Sequence, residues 1–129
     1  MKRLLVLAAA AATLFSVNAQ TYPGSKPISF VVPFAAGGPT DRVARDLAEA
    51  MRKSMGNGAN FVVENVNGAG GTIGANKVAK AAPDGHTLLL HHIGMAAAPG
   101  LYRKLQYKPL EDFEYLGLIN EVPMTLIGK

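Results

Sequence analysis

The chain has 129 residues, 49% of them hydrophobic and 17% charged, with a formal net charge of +4 and no cysteine. This length and apolar content suit one ordinary globular domain and exclude a disordered chain, while the lack of cysteine excludes a disulfide framework, a thiolate metal site and a nucleophilic thiol. Lys and Arg are scattered rather than gathered into a basic stripe with aromatics, which argues against a nucleic-acid partner.

The chain opens as an export signal. Lys2 and Arg3 form a basic start, Leu4 to Leu14 an apolar run, and Val17-Asn18-Ala19 a small-residue cleavage site. The apolar run is well short of the ~20 residues that span a bilayer. Residues 1–19 are therefore expected to be removed before Gln20, leaving residues 20–129 as the working protein in the bacterial periplasm. Cleavage takes Lys2 and Arg3 with it, so the remaining chain is only weakly basic.

Ile28 to Phe34 is almost unbroken apolar sequence rich in β-branched residues, which predicts a strand buried on both faces. From Thr40 to Met55, Val43, Leu47, Met51 and Met55 recur every fourth residue and predict a helix with one buried stripe. Thr40 is placed to cap it, Asp41 lies in its first turn, and Gly56 stops it. Phe61-Val62-Val63 predicts a second strand. Thr72 to Ala82 predicts a second helix that buries Ile73, Val78 and Ala79, and Thr87 to Leu90 a third strand. Weaker patterns suggest a short helix at Pro99 to Lys104 and strands near Phe113 to Ile119 and Pro123 to Ile127. The order β-α-β-α-β predicts an α/β fold with a mainly parallel sheet, whose ligands bind beyond the carboxyl ends of its strands.

Both helices are entered through glycine-rich turns, "AAGGPTD" at Ala35 to Asp41 and "NGAGGT" at Asn67 to Thr72. Helix N-termini offer unpaired N–H groups, and glycine removes side chains that would keep a ligand from the backbone, so each turn could receive an anion. Neither a phosphate-binding G-x-x-x-x-G-K-[ST] nor a G-x-G-x-x-G opens the first helix. Asp41 would oppose a dianionic phosphate, and a carboxylate, or a zwitterion whose ammonium meets Asp41, is the better guest. No G-x-S-x-G surrounds any serine, and His86, His91 and His92 lack metal-ligand spacing. His91 and His92 fall where the third strand ends, and adjacent residues on a strand point to opposite faces.

The segments "YPGSKPISFVVPFAAGGPTDRVARDLAEAM", "FVVENVNGAGGTIGANKVAKAAPDGHTLLL" and "APGLYRKLQYKPLEDFEYLGLI" closely resemble the periplasmic substrate-binding proteins of tripartite tricarboxylate transporters, the TctC or Bug family. The resemblance implies a Venus-flytrap receptor without enzymatic activity or cofactor. Such a monomer captures a small carboxylate-containing solute and delivers it to the membrane permease subunits of its transporter. It implies a ligand held by Phe34, Ala35, Ala36, Gly37, Gly38, Thr40 and Asp41, with Gly70, Gly71, Thr72, His91 and His92 lining the cleft. Family members are considerably longer, so this chain is expected to carry mostly the first lobe, and residues 20–129 alone are expected to unfold with low cooperativity. "HHIGM" at His91 to Met95 stands where many relatives have small hydroxyl and glycine residues. The rival reading is a secreted α/β hydrolase with His91 or His92 as base and Asp41 nearby.

Overall fold

A computed structural model describes residues 22–56 and 58–121, together with 123 and 128. The expected signal peptide and most of the strand expected at Pro123 to Ile127 lie outside these residues.

The first strand, β1 (Ile28–Val32), is followed by helix α1 (Pro39–Met55) and strand β2 (Phe61–Asn65). A 3₁₀ turn (Ala69–Gly71) then leads into helix α2 (Thr72–Ala79), strand β3 (Thr87–Leu89) and helix α3 (Gly94–Leu101). The sheet order is β2-β1-β3, and β1 is parallel to both neighbours. Phe30 stands opposite Val63 on one side and Leu88 on the other.

Side-chain alternation along β1 sorts the core into two layers. Ile28, Phe30 and Val32 face α1, where they meet Leu47, Ala48, Met51 and Ala44. On the opposite face, Ala75 of α2 packs with Met95, Tyr107 and Leu89. Buried from both sides, Val31 and Val32 are fully inaccessible, which explains the nearly unbroken apolar sequence. The chain steps from β1 outward to β2 and back across to β3, so right-handed crossovers put α1 and α2 on opposite faces.

Several expectations needed correction. Thr40 does not cap α1: Gly38 is the cap residue in extended geometry and Pro39 takes the first helical position, where its fixed φ fits and its missing N–H costs nothing. Gly56 does close the helix, its N–H reaching Arg52 O at 3.2 Å. In α2, Ile73 is 52% exposed, and the helix packs instead through Gly74 and Ala75, small residues that let it approach β1 closely. The last helix begins earlier than expected, at Gly94, because Met95 N–H finds His92 O at 3.0 Å and the Ala96-Ala97-Ala98 run favours helix. No strand forms within residues 113–121. Extended backbone becomes a strand only when a neighbour pairs with it, and among the described residues none does, so Leu116 and Leu118 stand exposed.

Candidate ligand-binding site

The crevice between β1 and β3 is where the connections leave to opposite faces, the place where open α/β sheets take ligands. A cavity of about 160 Å³ lies between the start of α1 and the segment that follows β3. Thr40 and Val43 from the first turns of α1 form one wall; Leu90, His91 and His92 beyond β3 form another, and residues 117–120 pass along its rim.

The loop from Phe34 to Gly38 owes its shape to a buried carboxylate. Asp41, only 2% exposed, accepts from Gly37 N–H at 2.8 Å and from Asn65 Nδ2 at 2.9 Å. Arg45, one helical turn on, grips both oxygens, Nε to Oδ2 and Nη2 to Oδ1, each at 3.0 Å. Asn65 Nδ2 also donates to Phe34 O at 3.1 Å, and its Oδ1 accepts from Arg45 Nη2 at 3.3 Å. The network joins the end of β1, the start of α1 and the end of β2. Arg45, then the Gly37 N–H and the Asn65 amide, holds the Asp41 carboxyl well below the usual carboxylate range.

This corrects two expectations. The Asp41 carboxylate is turned inward and fully partnered, so it does not face a ligand's ammonium, and it makes no hydrogen bond to either imidazole of the hydrolase reading. The loop glycines also spend their donors internally: Gly37 N–H goes to Asp41, and Gly38 N–H to Ala35 O at 3.3 Å. Half-buried Thr40 lines the cavity, and the first-turn N–H groups of Thr40 and Asp41 have no intrahelical partner by helix geometry. Ala35, Ala36 and Gly37 are exposed.

Phe34, Gly71, His91 and His92 are brought into contact, as a site would require. Phe34 stacks on His92 with ring centroids 4.2 Å apart and planes at 14°, and meets His91 edge-on at 5.3 Å. Gly71, with φ +95°, sits so close that a Cβ there would lie 2.9 Å from His91 Nε2 and 3.2 Å from Phe34 Cζ. Burial pushes the His91 imidazole below its ordinary value. Of the residues named from the resemblance, only Thr40, His91 and His92 line the cavity; Phe34, Ala35, Ala36, Gly37, Gly38, Asp41, Gly70, Gly71 and Thr72 fall outside its wall, Gly70 backing onto the Tyr102 hydroxyl and Thr72 Oγ1 donating to Ala69 O at 3.0 Å.

Arg45 and Asn65 escaped the sequence reading. Arg45 had a visible signal, since Asp and Arg four apart share one helix face. Asn65 had none, because it meets Asp41 only through the pairing of β1 with β2. Among the described residues, no group of three or more His, Cys, Asp or Glu could hold a metal, and no helix is long and apolar enough to cross a membrane.

The chain is similar in sequence and fold to known proteins. Residues 10–129 match the model of the tripartite tricarboxylate transporter family receptor. The UPF0065 protein in the TAR-I ttuE-ttuC' intergenic region of Agrobacterium vitis is 55% identical over 109 residues, 84% of this chain and 31% of that protein. Among solved structures, the periplasmic binding protein BugD aligns at 57% identity and TM-score 0.64 over 68% of this chain and 29% of its own. MatC from Rhodopseudomonas palustris, solved with bound malate, aligns at 50% identity and TM-score 0.63 over 67% of this chain and 29% of its own. The chain thus spans about a third of the length of these relatives. With its matched family model and its parallel α/β sheet, the chain belongs to the receptor family of tripartite tricarboxylate transporters.

Proposed function

We propose that this protein is a periplasmic solute receptor that captures a small carboxylate and presents it to the membrane subunits of a tripartite-type transporter, without catalysing a reaction. The observation that carries the reading is the placement of the cavity: it lies between the segment that follows β3 and the first turns of a 17-residue helix whose entry loop is braced by Asp41, Arg45 and Asn65. A helix N-terminus favours an anion. A loop already held in shape loses little freedom on binding, which favours affinity. Bound malate in MatC supports a carboxylate ligand. On this reading Thr40, the exposed backbone of Ala35 and Ala36, His91 and His92 meet the ligand, whereas Asp41 acts as a positioning residue.

A thermal-shift screen of the full-length gene product against carboxylates and their uncharged amides tests this. A ligand that binds only the folded state adds about 2.7 kcal/mol at a hundredfold excess over Kd, which is readily seen. The expected result is stabilisation by at least one carboxylate and not by its amide. Equal stabilisation by both, or by neither across C3 to C8 acids, would overturn the proposal.

A further inference from the structure

Among the described residues the cavity wall carries no Lys, Arg, Asp or Glu, so what this wall offers to a second polar group on the ligand comes from neutral side chains or the backbone. His92 is unusually well prepared for that part. Its Nδ1 accepts the N–H of Gly94, the first residue of α3, at 2.9 Å. A backbone N–H can only donate, so Nδ1 must present its lone pair, and the ring proton of the neutral imidazole is on Nε2.

The ring is also fixed in place. Phe34 stacks on one face at 4.2 Å, and a Cβ at Gly94 would lie 2.9 Å from Cε1, so the Nδ1–Cε1 edge is pressed against the start of α3. The Nε2–H lies away from Gly94 and has no hydrogen-bond partner among the described residues, and the side chain lines the cavity. His91 is less defined, because its Nδ1 lies near both the N–H and the carbonyl of His92, at 2.8 and 3.0 Å.

We infer that His92 is a specificity-determining residue: a tautomer-fixed, neutral Nε2–H donor that selects carboxylates bearing a second acceptor, such as a second carboxylate, over monocarboxylates of the same length. The inference rests on the carboxylate-receptor reading. The first carboxylate would sit toward Thr40 and the helix N-terminus, and the second acceptor oxygen would reach His92 across the apolar wall of Val43 and Leu90.

The test is calorimetric binding to the full-length gene product of dicarboxylate and monocarboxylate pairs matched in carbon number from C4 to C6, in three forms: unmodified, His92→Asn and His92→Phe. Asparagine keeps an acceptor near Gly94 N–H but loses the Nε2 donor; phenylalanine keeps the stack on Phe34 and loses both polar groups. The unmodified protein is expected to prefer dicarboxylates. Both variants should lose roughly two- to tenfold of that preference, the range of one neutral hydrogen bond, with dicarboxylate affinity falling more than monocarboxylate affinity. Only His92→Phe should also lower the melting temperature, since it alone uncaps α3. Imidazole ¹⁵N shifts should show the Nε2–H tautomer before ligand is added. An intact preference in His92→Asn, an equal loss for both ligand types, or an Nδ1–H tautomer would overturn the inference while leaving carboxylate capture standing. Failure of every carboxylate to bind the unmodified protein would overturn the receptor reading and this inference together.

Discussion

Asp41 and Arg45 form a two-point pair across one turn of α1, with each carboxylate oxygen 3.0 Å from a guanidinium nitrogen. The acid is buried and the base half-exposed, so the pair acts less as a surface ion bridge than as a clamp that lets Asp41 receive Gly37 N–H on one side and Asn65 on the other. Charge-assisted bonds of this kind favour a single loop geometry.

The clamp predicts a specific acid response. A carboxyl whose folded-state pKa is depressed contributes stability that is complete above its unfolded value of about 3.9 and is lost as the pH falls through the folded value. The melting temperature of the unmodified protein should therefore fall on acidification below about pH 4 more steeply than that of Asp41→Asn. At pH 7 the variant should melt several degrees lower and bind ligand more weakly. Parallel acid profiles would mean the pair does not hold the loop.

The two loop glycines should respond differently to alanine. Gly37 has φ +80°, the left-handed region, and Gly37→Ala should cost about 1–2 kcal/mol although nothing crowds its Cβ position. Gly38 has φ −73°, and an added Cβ would stand 3.2 Å from Ala35 O, a contact that a small shift relieves. Gly38→Ala should remain within about 1 kcal/mol of the unmodified protein. Urea denaturation midpoints separate the two, and equal effects would refute this account of the turn.

Gly74 is confined by space rather than by φ. A Cβ there would lie 2.7 Å from Pro33 Cβ and 2.8 Å from Val66 O, the second a backbone atom with little room to yield. Alanine would raise helix propensity by about 1 kcal/mol, but overpacking costs about 1–3 kcal/mol. The clash should win, and Gly74→Ala should lower stability despite favouring the helix; a gain would mean that α2 stands off the sheet.

Phe30 measures the core on the α1 face. It is 3% exposed, and its ring lies 5.5 Å from that of Phe61. Phe30→Ala should cost about 3–5 kcal/mol through lost burial and the cavity left behind. A loss below 1 kcal/mol would show that the layer between β1 and α1 is not packed as described.

The alternation of elements, the parallel sheet and the extent of α1 were legible in the sequence, because each depends on periodicity and turn residues a few positions apart. An apolar run such as Ile28 to Val32 has to be buried on both sides, and a four-residue stripe such as Val43, Leu47, Met51 and Met55 has to face a sheet. The glycine turns at Ala35 to Asp41 and Asn67 to Thr72 likewise fall where the sequence reading puts them, at the carboxyl ends of β1 and β2. Which groups face the ligand could not be read the same way. Asp41 reads in sequence as an exposed first-turn acid, and becomes a buried brace only because pairing of β1 with β2 delivers Asn65 to it from 24 residues away. The Gly37 and Gly38 N–H groups read as free donors until the fold turns them on Asp41 and Ala35. His92 stood out in the sequence only by its place at the end of the third strand; the N–H of Gly94 and the ring of Phe34, 58 positions earlier in sequence, set its tautomer and its plane. Side-chain direction and hydrogen-bond satisfaction are properties of what the chain brings together from afar, and local pattern carries no information about them.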